Sequence, residues 1–292
     1  MSFAVSAASW HIGEAAILDE VTFCAEPGEC IGVVGPNGSG KSSLLRLLAG
    51  LRKPSSGSVK LDGVEVAALP LRARSRRIAL VEQEVSADVD MTVMEVVMLG
   101  RTPYHRTFER MGDADRTHAE LALQQVGLQL LATRSWQELS GGQRQRTSIA
   151  RALCQHPSEL LLDEFTNHLD IRHQLQVLDL LADANITVIA ALHDLNLAAA
   201  YCDRVLLLNG GTVEAFGSPA EVFTAERLSR VYATECEVTL TPEGVPRIGY
   251  GRLQSRPVAR APRPVHPQRH VPHQLRSTLR PHPQSQFEKE IK

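Results

Sequence analysis

The chain has 292 residues, 43% of them hydrophobic, with 31 Lys/Arg against 33 Asp/Glu and a formal net charge of −2. That is enough chain for one large domain or two small ones with a substantial core. No apolar run approaches the roughly 18–20 residues that cross a bilayer. The N-terminus has no basic start ahead of an apolar stretch, so neither a membrane span nor a signal peptide is expected. The chain should stay in the cytosol and reach a membrane only through a partner.

The charge is unevenly spread: from residue 251 onward there are 9 Lys/Arg and 2 Asp/Glu, leaving 22 and 31 in the first 250 residues. An acidic body argues against nucleic acid as the main ligand, because phosphate neutralisation supplies most of that affinity. The cysteines, Cys24, Cys30, Cys154, Cys202 and Cys236, form no C-x-x-C pair and no zinc-ligand spacing. They read as small buried hydrophobes, with no disulfide and no structural metal expected.

In chain order, residues 16–23 and 58–61 lie among Gly/Pro turns and predict an antiparallel β layer. Between them, residues 31–34 form a short apolar run, as a buried strand would. Next come Gly35, Pro36, Asn37, Gly38, Ser39, Gly40, Lys41 and Ser42, which fill the phosphate-loop pattern completely. The glycines let successive N–H groups turn toward one phosphate chain. Lys41 adds a cation near the β/γ oxygens, and the Ser42 hydroxyl is placed to hold magnesium (Mg2+). Ser43 begins a helix over residues 43–49, whose N-terminus contributes unpaired donors to the same anion. The chain is therefore expected to bind a nucleoside triphosphate.

A strand follows at 78–81. Residues 91–126 are largely helical with a polar interruption at 101–115, which predicts an inserted helical subdomain at about 84–158. Helix candidates cover 119–126, 142–153, 172–183 and 195–201, and strand candidates 160–162, 186–192 and 205–208. Strands alternating with helices imply a mainly parallel sheet covered on both faces. The expected fold is α/β: a P-loop NTPase core, an N-terminal antiparallel β layer and the helical insertion.

Two motifs add chemistry. The apolar strand at 160–162 ends in Asp163 and Glu164, so Asp163 would hold magnesium opposite Ser42 while Glu164 orients and deprotonates the attacking water. The second motif is Leu139, Ser140, Gly141, Gly142 and Gln143 ahead of a helix, with Ser140 as N-cap. It is a second phosphate cradle, and one nucleotide cannot easily use two from one monomer. A head-to-tail homodimer resolves this: each copy's Ser140 cradle closes on the nucleotide at the other's Lys41.

With these residues in place, the chain resembles the ATP-binding subunits of ABC transporters over roughly residues 3–250. Residues 35–42 match the Walker A motif, 139–143 the signature and 160–164 the Walker B. Asn167, His168, Leu169 and Asp170 match the D-loop, Gln83 the Q-loop glutamine and His193 the switch histidine. The resemblance implies that Gln83 ligates magnesium and senses the transmembrane partner, and that His193 bonds the γ-phosphate and the attacking water. Residues 92–104, 167–174 and 192–203 look like those of importers of iron–siderophore, haem and cobalamin. Residues 84–104 would then line the groove that receives the permease. Partners so implied are a second copy, the permease at the cytoplasmic face of the membrane and, indirectly, an extracytoplasmic binding protein, with no nucleic acid.

Two other readings compete: a soluble ABC ATPase acting on ribosomes or DNA, and a module that binds ATP without hydrolysing it. Those soluble relatives usually carry two ATPase domains or a long coiled coil, and neither is present.

The chain departs from the family at two places. Phe165 stands where Pro usually follows the catalytic Glu, which should loosen the backbone beside Glu164 and slow hydrolysis. The aromatic that stacks on adenine aligns with Ile12, and Trp10, two residues earlier on the same strand face, is the candidate substitute. After residue 250, seven prolines, four histidines and nine basic residues fall within 42 positions. The 251–292 tail is expected to be disordered and dispensable.

Overall fold

The computed structural model describes residues 1–82, 90–106, 109–166 and 169–251. Gln83, Asn167, His168, residues 84–89 of the expected permease groove and the tail beyond residue 251 lie outside the described residues.

Two long strands, β1 (Phe3–Ile12) and β2 (Ala15–Ala25), pair antiparallel, and β3 (Cys30–Val34) then leads into α1 (Lys41–Leu48). The chain returns through β4 (Ser56–Leu61) and β5 (Val64–Glu65), which completes an antiparallel sheet ordered β2-β1-β4-β5. Next come α2 (Leu71–Arg77) and β6 (Ile78–Val81). The helical insertion holds α3 (Val93–Met98), a 3-10 stretch at Leu99–Tyr104, α4 (Asp113–Gln125) and α5 (Gly141–Cys154). A buried ion pair ties it together: Arg101 Nε lies 3.2 Å from Asp115 Oδ1, with the guanidinium stacked over Tyr104.

The chain then re-enters the main sheet with β7 (Glu159–Asp163), α6 (Ile171–Asp183), β8 (Thr187–Ala191), α7 (Leu195–Tyr201) and β9 (Arg204–Asn209). It closes with β10 (Thr212–Gly217), α8 (Pro219–Val222), α9 (Ala225–Tyr232) and the hairpin β11 (Cys236–Leu240) and β12 (Pro246–Tyr250).

The main sheet runs β10-β9-β3-β8-β7-β6, parallel except for β10. Every residue of β7 and β8 is buried, as expected for strands covered on both faces. Successive side chains point to opposite sides. Leu160 and Leu162 join the core shared with the helical insertion, α6 and α7, while Leu161 joins the core under α1 and the antiparallel layer. The phosphate loop thus sits at the carboxyl edge of the central strand, where a doubly covered sheet opens its crevice.

The expected fold class is observed, with local differences. The helix expected at 119–126 is the second half of α4, which starts earlier because the Asp115 carboxylate accepts the Gly112 N–H at 3.0 Å. The expected strand at 186–192 is shortened to β8. Sequence reading passed over β5, α2, β10, α8, α9 and the β11–β12 hairpin, all of them short elements.

Candidate active site

The site begins where β3 ends. Gly35 has φ 148°, and a Cβ there would stand 2.1 Å from Leu208 O, so only glycine fits. Gly40 caps α1 at φ 99°, where a Cβ would meet Leu18 Cδ2 at 2.6 Å. Between these two, Lys41 Nζ donates to Gly35 O at 2.8 Å and Pro36 O at 3.1 Å, curling the loop around a buried ammonium. Burial pulls the Lys41 pKa down, and the Glu164 and Asp163 carboxylates oppose that shift.

Ser42 and Asp163 meet although 121 residues separate them: Ser42 Oγ donates to Asp163 Oδ1 at 2.9 Å. Burial raises the Asp163 pKa, against the hydrogen bond from Ser42. Two hard oxygen ligands beside a phosphate cradle form a donor set that fits Mg2+, which takes one or two protein oxygens and keeps its waters.

Glu164 follows β7 in the left-handed region at φ 49°, and its N–H donates to Ala191 O at 3.3 Å. This strained turn for a non-glycine residue costs on the order of 1 kcal/mol and directs the carboxylate out of the strand. Because β7 and β8 pair in parallel with Asp163 opposite Ala191, the chain just beyond them brings His193 to Glu164. His193 Nε2 lies 2.6 Å from Glu164 Oε1. Asn37, Gly38, Gly40, Lys41, Ser42 and Ser43 line a 510 Å³ cleft together with Glu164, His193 and Ile17. The predicted cradle, magnesium pair and base–histidine pair therefore converge on one space.

The second cradle also forms. Ser140 caps α5: its Oγ accepts from Gln143 N at 3.3 Å while Gln143 Oε1 accepts from Ser140 N at 3.0 Å. Ser140, Gly141, Gly142 and Gln143 line a separate 530 Å³ cleft with Arg146, Leu169, Asp170 and His173. The two clefts share no lining residue. Sequence reading took Ser140 as the N-cap only; the S-x-x-Q spacing to Gln143 is the local signal for the reciprocal bond that it missed. Nothing local marked His173, whose ring nitrogen Nδ1 sits 2.8 Å from Asp170 Oδ1.

Two expectations change here. Trp10 and Ile12 do not follow simple strand alternation, because the pairing of β1 with β2 shifts register between Trp10 and His11. Ile12 is 58% exposed and Trp10 packs on the core, while Ile17 is the apolar residue that lines the cleft. Phe165 does not simply loosen the chain. It is fully buried in the larger core and anchors the strand end beside Glu164. Phe165→Pro is therefore expected to lose about 3 kcal/mol of stability from the emptied site, seen as a lower thermal midpoint. An unchanged midpoint with unchanged ATP turnover would mean that the substitution is silent.

This fold, with a lysine-bearing phosphate loop, a strand-end Asp-Glu pair and a capped glycine cradle, defines a P-loop nucleoside triphosphatase. A sequence profile described as "ABC transporter" matches residues 18–167. The chain is 43% identical over 239 residues to a hemin import ATP-binding protein of Pseudomonas entomophila, covering 79% of this chain and 92% of that one. It is 40% identical over 234 residues to a probable siderophore transport system ATP-binding protein of Bacillus subtilis, covering 79% and 85%. Among solved structures, a dimeric ATP-binding cassette in a post-hydrolysis state with ADP and phosphate matches at TM-score 0.67 and 29% identity, covering 74% of this chain and 98% of that one. The chain belongs to the ABC transporter family, as an ATP-binding, ATP-hydrolysing subunit.

Proposed function

We propose that this chain is the ATPase subunit of an importer for an iron complex (siderophore or haem) or cobalamin, and that it works as a homodimer beneath a membrane permease. The observation that carries the dimer is that the Lys41 cleft and the Ser140 cleft share no residue within one chain. Two copies arranged head to tail complete both sites at once. The cargo class is supported by the relatives' hemin and siderophore import. Among the described residues no helix is long and apolar enough to cross a membrane, so membrane attachment at the cytoplasmic face would run through the permease.

In this reading Lys41 and the loop amides bind the phosphates, and Ser42 and Asp163, with Gln83 by family resemblance, hold Mg2+. The bound ion would neutralise charge on the β- and γ-phosphates. Glu164 takes the proton of the attacking water, and His193, whose Nε2 lies 2.6 Å from that carboxylate, turns the same N–H to the γ-phosphate when nucleotide is bound. The partner's Ser140, Gly141, Gly142 and Gln143 close over the same phosphate, so hydrolysis is coupled to closure and reopening of the pair.

Affinity purification of the tagged chain from solubilised membranes tests this reading. An integral membrane permease is expected to co-purify, with a periplasmic-type or surface-anchored binding protein encoded beside it. Recovery of ribosomes or DNA instead would overturn the transport reading. We further propose that residues 1–250 form the ATPase domain, with 251–292 as a dispensable extension. Deleting residues 252–292 is then expected to leave steady-state ATPase within about twofold of the full chain. A larger loss would assign the tail a role.

A further inference from the structure

We propose that the C-terminal unit formed by α9, β11 and β12 holds the His193 side of the catalytic site in register through Asn196, which acts as its positioning residue. The proposal rests on hydrolysis in the Lys41 cleft and adds a means of alignment to it.

Asn196 stands in the first turn of α7, three residues after His193. Its Nδ2 donates to Ile248 O at 3.2 Å and its Oδ1 accepts from Ile248 N at 2.8 Å, across 52 residues of sequence. One side-chain amide thus offers β12 the donor and acceptor that another strand would have offered. That turn has little freedom of its own, since Asp194 Oδ1 accepts from Asn196 N at 2.8 Å and from Leu197 N at 3.3 Å. His193 directly precedes this fixed turn and reaches Glu164. A shift of α7 against β12 would therefore move the imidazole against the base.

Ile248 is itself anchored: Ser229 Oγ of α9 accepts the Cys236 N–H of β11 at 2.9 Å, and β11 pairs with β12 through Val238 and Ile248. Misplacement of reacting groups by about 1 Å can cost 10²-fold in rate, so a brace on the His193 segment has catalytic leverage.

Asn196→Ala is expected to lower kcat about tenfold while ATP affinity stays within about twofold, because only the His193 side loosens. Asn196→Asp, which keeps the acceptor for Ile248 N–H, should recover part of that loss. ATP affinity is read with a fluorescent ATP analogue, and thermal midpoints are measured for both variants. If kcat and KM instead move together in proportion to lost thermal stability, or if folded Asn196→Ala turns over normally, the unit is only structural and the proposal falls. A wild-type chain without ATPase activity would show, before any variant is made, that the hydrolysis reading itself has failed.

Discussion

Glu164→Gln should bind ATP, remain trapped as a closed dimer and hydrolyse at least about 10²-fold more slowly than the wild type, the usual scale for removing a positioned general base. The amide is isosteric, so the left-handed turn at φ 49° and the surrounding cleft are preserved. What is lost is the ability to accept the water's proton. His193, 2.6 Å away, still finds a hydrogen-bond partner but faces no carboxylate that can carry charge. The same change removes a negative charge from a cleft that must admit the γ-phosphate, which favours nucleotide binding and closure. Light scattering on a sizing column with saturating ATP and Mg2+ should report twice the protomer mass. Normal steady-state turnover would remove Glu164 from the role of base, and single protomers throughout would remove the head-to-tail pair.

Lys41→Ala is expected to abolish measurable ATP binding at micromolar nucleotide and with it all hydrolysis. The ammonium is buried and already aimed into the loop through Gly35 O and Pro36 O. Burial destabilises its charge, and nucleotide phosphate would supply the counter-charge, so the cation is poised for an anion. Charge-assisted hydrogen bonds contribute about 1.5–3 kcal/mol each. Losing two of them weakens binding by roughly 10²–10⁴-fold. Titration calorimetry reads this directly, alongside a thermal scan to establish that the variant is folded. A folded variant whose ATP affinity stays within threefold of wild type would remove the lysine from phosphate binding.

Most of the cradle chemistry was legible because it is local. A run from Gly35 to Ser42 dictates its own backbone: glycines permit φ values that side chains forbid, and the lysine closes the turn that those values create. The capped cradle at Ser140 was legible for the same reason, a side chain bonding to an amide three residues away. The adenine side was less so. The two-residue alternation that would pair Trp10 with Ile12 fails at a register shift, and register is a property of two strands rather than one. Phe165 was read from its neighbour Glu164, whereas its behaviour follows from burial in a core assembled from distant helices.

The amino-acid sequence by itself determined the phosphate loop, the capped second cradle, the strand-end carboxylates and the alternation of strands and helices, since each depends on contacts within a few residues. Tertiary structure decided which of them meet. β6, β7, β8, β3 and β9 are all short apolar runs, and nothing in their composition sets their order. Only the parallel pairing of Asp163 with Ala191 brings His193 to Glu164. Only packing of α1 against β7 brings Ser42 to Asp163, and only docking of the terminal hairpin fastens α7 through Asn196. Hydrogen bonds between residues near in sequence follow from local dihedrals, while those across 52 or 121 residues follow from which apolar faces are buried together.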